Sequence, residues 1–214
     1  MSRIAVIGGH GKVALHLARA LTERGHQVSS LIRNPAQRDD VEATGAEAVV
    51  ADIEELQIDR LAEVIEGHDA VVWSAGAGGG SPERTYAVDR DAAIEAMAAA
   101  ERAGVRLFVM VSYFGSSPSH GVPKGTGFFH YAEAKAAADE HLRSTDLDWT
   151  VLGPSTLTTD PATGRIDVDA VEAGSVARED VALVVAAALE SPATIGRTIT
   201  FNSGDTPIDD ALAG

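Results

Sequence analysis

Stretches of consecutive apolar residues alternate along the chain with stretches in which apolar positions recur every three or four residues. The continuous runs predict strands covered on both faces, because a strand covered on one face alternates apolar and polar residues. The predicted strands are 3–7, 27–32, 47–51, 69–74, 106–112, 148–152 and 198–202. The predicted helices between them are 12–24, 36–43, 56–66, 88–103, 130–144 and 179–190. This alternation predicts an α/β fold, a doubly wound parallel sheet in a single domain over residues 1–214.

The first predicted strand, ending at Ile7, runs directly into the glycine-rich turn Gly8-Gly9-His10-Gly11 and then into a helical pattern. This order is typical of a dinucleotide-binding βαβ unit. Glycines let the backbone approach a pyrophosphate, and the new helix presents free N–H groups to it. Two registers fit, Gly9-x-Gly11-x-x-Ala14 and Gly8-x-x-Gly11-x-x-Ala14, and a plain tight turn is the alternative. A P-loop is excluded, because Val13 stands where Ser or Thr must follow the lysine.

The composition narrows the classes of partner. A net charge of −15 argues against nucleic acid and anionic membranes. No apolar run reaches the roughly 18 residues of a membrane span, and the N-terminus lacks the apolar core of a signal peptide, so we expect a cytoplasmic protein. The chain has no cysteine, and its seven histidines form no close pair, so no metal site is expected. We expect a small-molecule substrate and a monomer or homodimer.

The positive charge is concentrated near the N-terminus. Residues 1–38 hold six of the 17 basic side chains but one of the 32 acidic ones, which suits a segment that binds a polyanionic cofactor. Arg33 follows the second strand at the place where an acidic residue would bind the ribose of NAD. A guanidinium there matches a 2′-phosphate, so NADP(H) is favoured over NAD(H). Arg38 lies just beyond it. The alternative for Arg33 is a solvent-facing side chain.

Three further segments lie at the carboxyl ends of strands, where open α/β sheets bind ligands. Asp52-Ile53 could contact adenine, or Asp52 could cap the next helix. The loop Gly76–Ser81 is either a ligand contact or a mobile connector. The loop Ser116–Gly127 is predicted to cover a substrate pocket, so residues 113–130 and 153–178 are assigned to the substrate side.

Candidate chemistry follows the fifth strand. Tyr131 and Lys135 are four residues apart, which places them on one face of a helix. An ammonium beside a phenol stabilises tyrosinate, so we expect Lys135 to lower the pKa of Tyr131. Such a tyrosine can exchange a proton with a carbonyl or alcohol while hydride moves to or from a nicotinamide. Ser112, at the end of its strand, could hydrogen-bond the same substrate oxygen.

These residues together resemble the atypical short-chain dehydrogenases/reductases of the NAD(P)H-binding, epimerase-like group. The resemblance covers nearly the whole chain and implies a Rossmann fold with a small C-terminal substrate lobe. Besides the glycine turn and Tyr131-x-x-x-Lys135, it is carried by Leu31-Ile-Arg-Asn-Pro35, Trp73-Ser-Ala-Gly-Ala-Gly-Gly, Val88-Asp89, Gly104 to Ser112, Leu147 to Pro154 and Arg178-Glu-Asp-Val-Ala182.

The resemblance assigns a role to each matching position. It implies a catalytic set of Ser112, Tyr131 and Lys135, with Lys135 also holding the nicotinamide ribose. The implied cofactor-binding residues are Gly8, Gly9, His10, Gly11, Lys12, Val13, Arg33, Asp52, Ile53, Ser74, Ala75, Gly76, Lys135, Pro154, Ser155, Thr156 and Leu157.

The chain also departs from the family pattern. His10 occupies a position where a small residue is usual, and Gly153-Pro154 replaces the frequent Arg-Pro. No asparagine was identified that would complete the proton relay of ordinary members. The leading hypothesis is an NADP(H)-dependent oxidoreductase that acts on a small carbonyl, quinone or flavin-like acceptor. The alternatives are a non-catalytic NADP(H)-binding regulator similar to the NmrA-like redox sensors, and a nucleotide-sugar epimerase or dehydratase, although only 79 residues follow Lys135.

Overall fold

A computed structural model describes residues 1–79, 81–168 and 170–213. Within these residues, nine strands form one sheet in the order β11-β8-β10-β6-β5-β4-β1-β2-β3. Its parallel part comprises β1 (Arg3–Ile7), β2 (Gln27–Ile32), β3 (Glu47–Val50), β4 (Ala70–Trp73), β5 (Leu107–Val111), β6 (Asp148–Pro154) and β10 (Arg197–Ser203). The order 3-2-1-4-5-6 is that of a Rossmann fold. The predicted doubly wound sheet is therefore confirmed.

Helices cover both faces of this sheet. On one face, α1 (Lys12–Glu23) and α7 (Arg178–Glu190) pack on each other and on the side chains of Ile4 and Val6. On the other face, α3 (Ile58–Ile65) and α5 (Ala93–Ala103) pack on each other and on Ala5 and Ile7. Successive residues of β1 thus alternate between two buried clusters, which explains the continuous apolar runs.

The other α-helices of the described residues lie between strands, except α8, which follows β11. They are α2 (Arg38–Glu42), α4 (Pro82–Tyr86), α6 (Phe129–Arg143) and α8 (Ile208–Leu212). The helix predicted at 88–103 begins earlier, because the Ser81 hydroxyl accepts a hydrogen bond from the backbone N–H of Arg84 and Pro82 occupies the first turn. Between α4 and α5 the chain forms a π-helical turn, Ala87–Ala92, that contains Asp89.

The segment after β6 contains short elements that the apolar pattern did not predict. Strands β7 (Thr156–Thr158) and β9 (Ser175–Ala177) form a separate parallel pair. Strands β8 (Arg165–Asp167) and β11 (Thr206–Pro207) extend the main sheet in the antiparallel direction beyond β10. Together, the short strands β7, β8, β9 and β11 form the small C-terminal lobe. Two positions of the predicted loops, Gly80 and Asp169, lie outside the described residues.

No helix in the described ranges combines the length and the apolar character needed to cross a bilayer.

Candidate cofactor cleft and active site

The glycine turn is packed so tightly that side chains are excluded at two positions. Gly8 has a φ of +84°, and a Cβ there would lie 2.6 Å from the Cα of Ala75. A Cβ on Gly9 would lie 2.5 Å from the Cβ of Ser30. The turn is closed by a hydrogen bond from the N–H of Gly11 to the carbonyl of Gly8, 2.9 Å long. The turn leads directly into α1, whose N-terminal residue Lys12 follows Gly11, and this is the order that a pyrophosphate site requires.

A cleft of about 320 Å³ lies beside this turn at the carboxyl ends of β1, β2, β3 and β4. Its walls bring together several of the predicted cofactor contacts from distant parts of the sequence. The lining residues that the sequence predicted are Gly8, His10, Gly11, Arg33, Asp52, Ile53, Ser74, Ala75 and Gly76. Those that it did not predict are Leu31, Ile32, Gln37, Ala51, Glu54, Arg84 and Val88.

Two guanidinium groups meet one carboxylate in the wall of the cleft. A terminal nitrogen of Arg33 lies 2.6 Å from Oε1 of Glu54, and a terminal nitrogen of Arg84 lies 3.0 Å from the same oxygen. Arg84 also donates a hydrogen bond to the carbonyl of Ala77. These three groups together carry one positive charge, which the carboxylate of Asp52 in the lining of the same cleft balances. The side chain of Arg33 is 55% exposed, as the solvent-facing alternative expects, but it is paired with an acidic residue that sequence reasoning missed.

Arg38 and Asp52 are two further residues that the sequence singled out, and they lie differently with respect to the cleft. Arg38 turns away from the cleft and donates to the carboxylate of Glu42 and to the carbonyl of Ala48. Asp52 lines the cleft and also accepts a hydrogen bond from the backbone N–H of Glu54, which stabilises the turn after β3. The alternative that Asp52 caps the next helix is wrong, because α3 begins only at Ile58, directly after Gln57.

His10, the unusual residue of the glycine turn, is paired with α2. Its Nε2 lies 2.8 Å from Oδ2 of Asp40. Because both side chains are partly exposed, this pair contributes at most about 1 kcal/mol to stability. It links the glycine turn to the segment that follows Arg33 and leaves the imidazole at the edge of the cleft.

Other residues predicted to bind the cofactor do not line this cleft. The side chain of Val13 is buried in the core, which leaves only its backbone for a ligand. Lys12 faces a separate groove of about 450 Å³ with Thr158 and Arg178. Pro154 and Ser155 are held by the main sheet and the segment after β5: the Pro154 carbonyl accepts from the N–H of Phe114, and the Ser155 hydroxyl donates to the side chain of Asn202 in β10. Thr156 and Leu157 lie in β7.

Tyr131 and Lys135 share one face of α6, but the ammonium is directed at the sheet. Lys135 is 1% exposed, and its Nζ donates to the carbonyl of Val111 at 2.8 Å and to the sulfur of Met110 at 3.1 Å. Burial lowers the pKa of Lys135, whereas the nearby carboxylates of Asp139 and Asp89 oppose this shift. The contact of Lys135 with a nicotinamide ribose stays a prediction.

The pKa of Tyr131 shifts in the direction opposite to the one expected. Burial raises the pKa of this phenol, and the negative charges of Asp89 and Asp139 raise it further. The expectation that Lys135 would lower the pKa of Tyr131 is therefore wrong. A neutral phenol holds its proton and acts as a hydrogen-bond donor.

Ser112 is held by a carboxylate that sequence reasoning missed. Its hydroxyl donates to Oδ2 of Asp139 at 2.5 Å, and the hydroxyl of Ser116 donates to the same oxygen at 2.5 Å. Asp139 is fully buried on α6, four residues after Lys135. A signal was present in the sequence, because Asp139 continues the face of Tyr131 and Lys135 into the alanine-rich part of the helix.

Asp89 connects the cleft to this buried cluster. It is 1% exposed, and Oδ2 accepts a hydrogen bond from the backbone N–H of Ala77. Its Oδ1 would lie 3.0 Å from a Cβ on Gly76, a residue of the cleft wall. Burial raises the pKa of Asp89, and the charge of Lys135 counteracts this. A π-helical turn of this kind is frequent at functional sites.

Aromatic rings surround the candidate tyrosine. The ring centroids of Tyr113 and Phe128 lie 5.6 Å and 5.2 Å from that of Tyr131. Tyr113 and Phe128 also contact each other edge to face, with centroids 5.1 Å apart. Phe128 is 46% exposed, so this cluster presents an apolar ring to solvent. The surroundings suit a substrate with a flat apolar part.

Comparison with known proteins agrees with this geometry. A family model described as NAD(P)H-binding matches residues 8–192. The uncharacterised sugar epimerase YhfK of Bacillus subtilis is 33% identical over 98% of this chain and 98% of its own length. A solved structure from Bacillus halodurans, named as an NAD-dependent epimerase/dehydratase, is 33% identical over 99% of both chains, with a TM-score of 0.91. The oxidoreductase YlbE of Lactococcus lactis is 29% identical over 98% of this chain and 94% of its own, with a TM-score of 0.88.

Proposed function

Because the chain belongs to the NAD(P)H-binding family, within its epimerase-like and oxidoreductase-like members, we propose that it is an NADP(H)-dependent oxidoreductase. We propose as its substrate a small carbonyl, quinone or flavin-like acceptor. The observation that carries the proposal is the arrangement of Asp89, which joins the wall of the cleft at Gly76 and Ala77 to the buried surroundings of Lys135 and Tyr131. This arrangement supports the proposal that the cofactor cleft and the candidate catalytic residues belong to one site.

The residues of the cleft fit the proposed cofactor. Gly8 lets the turn pass close to Ala75 at the start of α1, since a Cβ there would lie 2.6 Å from the Cα of Ala75; this turn is proposed to hold the pyrophosphate. Asp52, Ile53 and Ser74 to Gly76 line the cleft; we propose that the first two contact adenine and that the others lie beside the adenosine ribose. Pro154, Ser155, Thr156 and Leu157 are proposed to pass the nicotinamide amide. When bound, the reduced nicotinamide supplies a hydride.

The preference for NADP(H) rests on Arg33 and Arg84. Both guanidinium groups converge on a single carboxylate oxygen of Glu54. Two guanidinium groups that converge on one point also suit a phosphate, because guanidinium groups donate strong hydrogen bonds to phosphate oxygens as they do to carboxylate oxygens. A 2′-phosphate would replace Glu54 as the partner of at least one of these arginines.

Tyr131 is proposed to bind the substrate oxygen. Since burial and two neighbouring carboxylates raise its pKa, the phenol stays protonated and donates a hydrogen bond to that oxygen. This polarises a carbonyl for hydride addition. Tyr113 and Phe128 flank the phenol and exclude water from one side of it.

The test measures binding and turnover separately. NADPH binding is followed by fluorescence, and NADPH oxidation is followed with a panel of aldehydes, ketones, quinones and flavins. We expect wild-type protein and Tyr131→Phe to bind NADPH equally, and Tyr131→Phe to turn over at least about 100-fold more slowly. Equal turnover by both proteins would contradict the role of Tyr131.

A non-catalytic NADP(H)-binding regulator is the second candidate. It is favoured by the direction of Lys135, whose ammonium bonds to Val111 and Met110 and leaves the pKa of Tyr131 high. The same experiment separates the two functions. NADPH binding with no turnover of any acceptor by the wild-type protein would support the regulator.

A further inference from the structure

Apart from helping to raise the pKa of Tyr131, the buried carboxylate of Asp139 has no role in the function proposed above. Its Oδ2 accepts hydrogen bonds from the hydroxyls of Ser112 and Ser116, both 2.5 Å long. Its Oδ1 has no hydrogen-bond partner within the described residues. A fully buried carboxylate with an unused oxygen is costly, so an arrangement of this kind calls for an explanation.

The hydrogen bond determines what Ser112 can offer a ligand. A hydroxyl has one proton and two lone pairs, and here the proton is directed at Asp139. Ser112 therefore presents only lone pairs to a substrate. A bare carbonyl oxygen also presents only lone pairs, so the two would repel each other. A substrate hydroxyl, in contrast, can donate to Ser112 and accept from Tyr131 at the same time.

Tyr131 is poorly suited to take the proton of the reaction. Burial and the charges of Asp89 and Asp139 raise its pKa, so the phenol already holds a proton firmly. Lys135 is directed at the Val111 carbonyl. A carboxylate in short, charge-assisted contact with a serine hydroxyl is a better acceptor.

We propose that Asp139 is a positioning residue that acts through Ser112 and makes it the proton acceptor for a substrate that binds as an alcohol. In the direction of alcohol oxidation, the C–H bond breaks and its electron pair leaves as hydride to the oxidised nicotinamide. The electrons of the O–H bond form the C=O bond, and the released proton goes to Oγ of Ser112. The former Ser112 proton goes to Oδ2 of Asp139, which ends as a carboxylic acid. Carbonyl reduction follows the same path in reverse.

This inference rests on the proposed oxidoreductase function, but its structural part can be tested without a substrate. A proton in a short bond between a hydroxyl and a carboxylate resonates far downfield in ¹H NMR. We expect two such resonances, one lost in Ser112→Ala and the other in Ser116→Ala. Both should move upfield in Asp139→Asn. A Ser112 resonance that is unchanged in Asp139→Asn would overturn the proposal.

The kinetic arm compares three variants on the alcohol and carbonyl pair with the highest wild-type activity in the panel. Asp139→Asn keeps an oxygen that accepts from Ser112 but no longer takes its proton, so kcat should fall about 100-fold while the Kd for NADPH is unchanged. Ser116→Ala removes the other hydrogen bond to Oδ2 and should stay within about threefold of wild type. If Asp139 had a purely structural role, Asp139→Asn would keep a near-normal kcat, and only Asp139→Ala would have a reduced kcat. That result would overturn the inference.

A measurement on the wild-type protein covers the case in which Asp139→Asn does not fold. Rates in mixtures of H₂O and D₂O should curve with deuterium fraction, because two protons move in the relay, whereas a linear dependence indicates one proton and overturns it. If NADPH binds but nothing turns over, the oxidoreductase proposal fails together with the relay, while the NMR result still reports whether Asp139 orients Ser112. If turnover occurs and Asp139→Asn is normal, only the relay fails.

Discussion

Arg33 and Glu54 form an ion pair of 2.6 Å inside the wall of the cleft, and Arg84 joins it from the opposite side at 3.0 Å. An acidic residue there would be expected to favour the ribose hydroxyls of NAD. Here, however, its carboxylate is already engaged by two guanidinium groups. If the proposed function holds, the wall combines a residue that would favour NADP with one that would favour NAD, and we expect the choice of cofactor to depend on whether this ion pair separates.

Arg33→Ala should weaken NADPH binding about 10- to 100-fold, since a charge-assisted hydrogen bond to phosphate contributes about 1.5–3 kcal/mol. NADH, which lacks the 2′-phosphate, should lose less than about twofold. Fluorescence titration with both nucleotides measures this. Arg38→Ala is the matched control, because Arg38 bonds to Glu42 and Ala48 outside the cleft and should not change the ratio. Equal losses for both nucleotides would refute the assignment of Arg33.

Glu54→Gln should strengthen NADPH binding by about three- to fivefold, because it removes a negative charge that competes with phosphate for Arg33 and Arg84. The gain is modest, since a partly exposed ion pair contributes at most about 1 kcal/mol. Isothermal titration with NADPH and NADH gives the comparison. Glu55→Gln removes the same charge from an exposed neighbour and serves as the control. Weaker NADPH binding in Glu54→Gln would show that the carboxylate helps to hold the cofactor.

Gly9→Ala should reduce the free energy of unfolding by about 1–3 kcal/mol, the range for overpacking a rigid site. A Cβ there would meet the Cβ of Ser30 at 2.5 Å and the backbone of the same residue at 2.9 Å. Because the turn must shift, NADPH binding should be lost as well. Urea denaturation and fluorescence titration measure the two effects. In Gly127→Ala nothing lies within 4 Å of the new methyl group, so its stability should stay within about 0.5 kcal/mol of wild type.

Stability should fall in alkaline solution in a way that depends on Tyr113. Burial and the charge of Asp139 raise the pKa of Tyr113 to about 12, whereas an unfolded tyrosine ionises near pH 10. Between these values the native state binds more protons than the unfolded state, so the free energy of unfolding decreases as pH rises. In Tyr113→Phe this decrease should be smaller. Phe128→Leu changes the same ring cluster without changing a phenol, so it should keep the wild-type slope. Thermal unfolding between pH 9 and 11 provides the data.

The sequence predicted the sheet well because each strand is buried on both faces, so its apolar run is continuous and easily recognised. Ile4 to Ile7 and Ala70 to Trp73 are examples, since every one of these residues is buried. The strands of the C-terminal lobe escaped prediction because they have only two or three residues and are partly exposed, so they leave no periodic signal.

Within the site, the sequence predicted residues whose positions follow from the glycine turn or the end of a strand. It did not predict residues whose positions depend on contacts with distant parts of the chain. Gly8 and Arg33 follow strands directly, so the sequence places them at the edge of the sheet. Glu54, Arg84 and Asp139 obtain their positions from contacts with residues 21 to 30 positions away. The error about Tyr131 has the same origin, because its pKa depends on burial and on Asp89, 42 positions earlier in the chain.

The π-helical turn at Ala87–Ala92 restricts the number of residues that this helical segment can have. Each residue of an α-helix turns the chain by about 100°, so the additional residue of a π turn offsets the two flanking α-helices by about that angle. Arg84 reaches the cleft from one side of this offset, while Met97 is packed in the core on the other. Deletion of one residue within this turn would convert it to regular α-helix. Either Arg84 would then turn away from the cleft, or the face that carries Met97 would turn away from the core. The length of this segment is thus constrained independently of its composition.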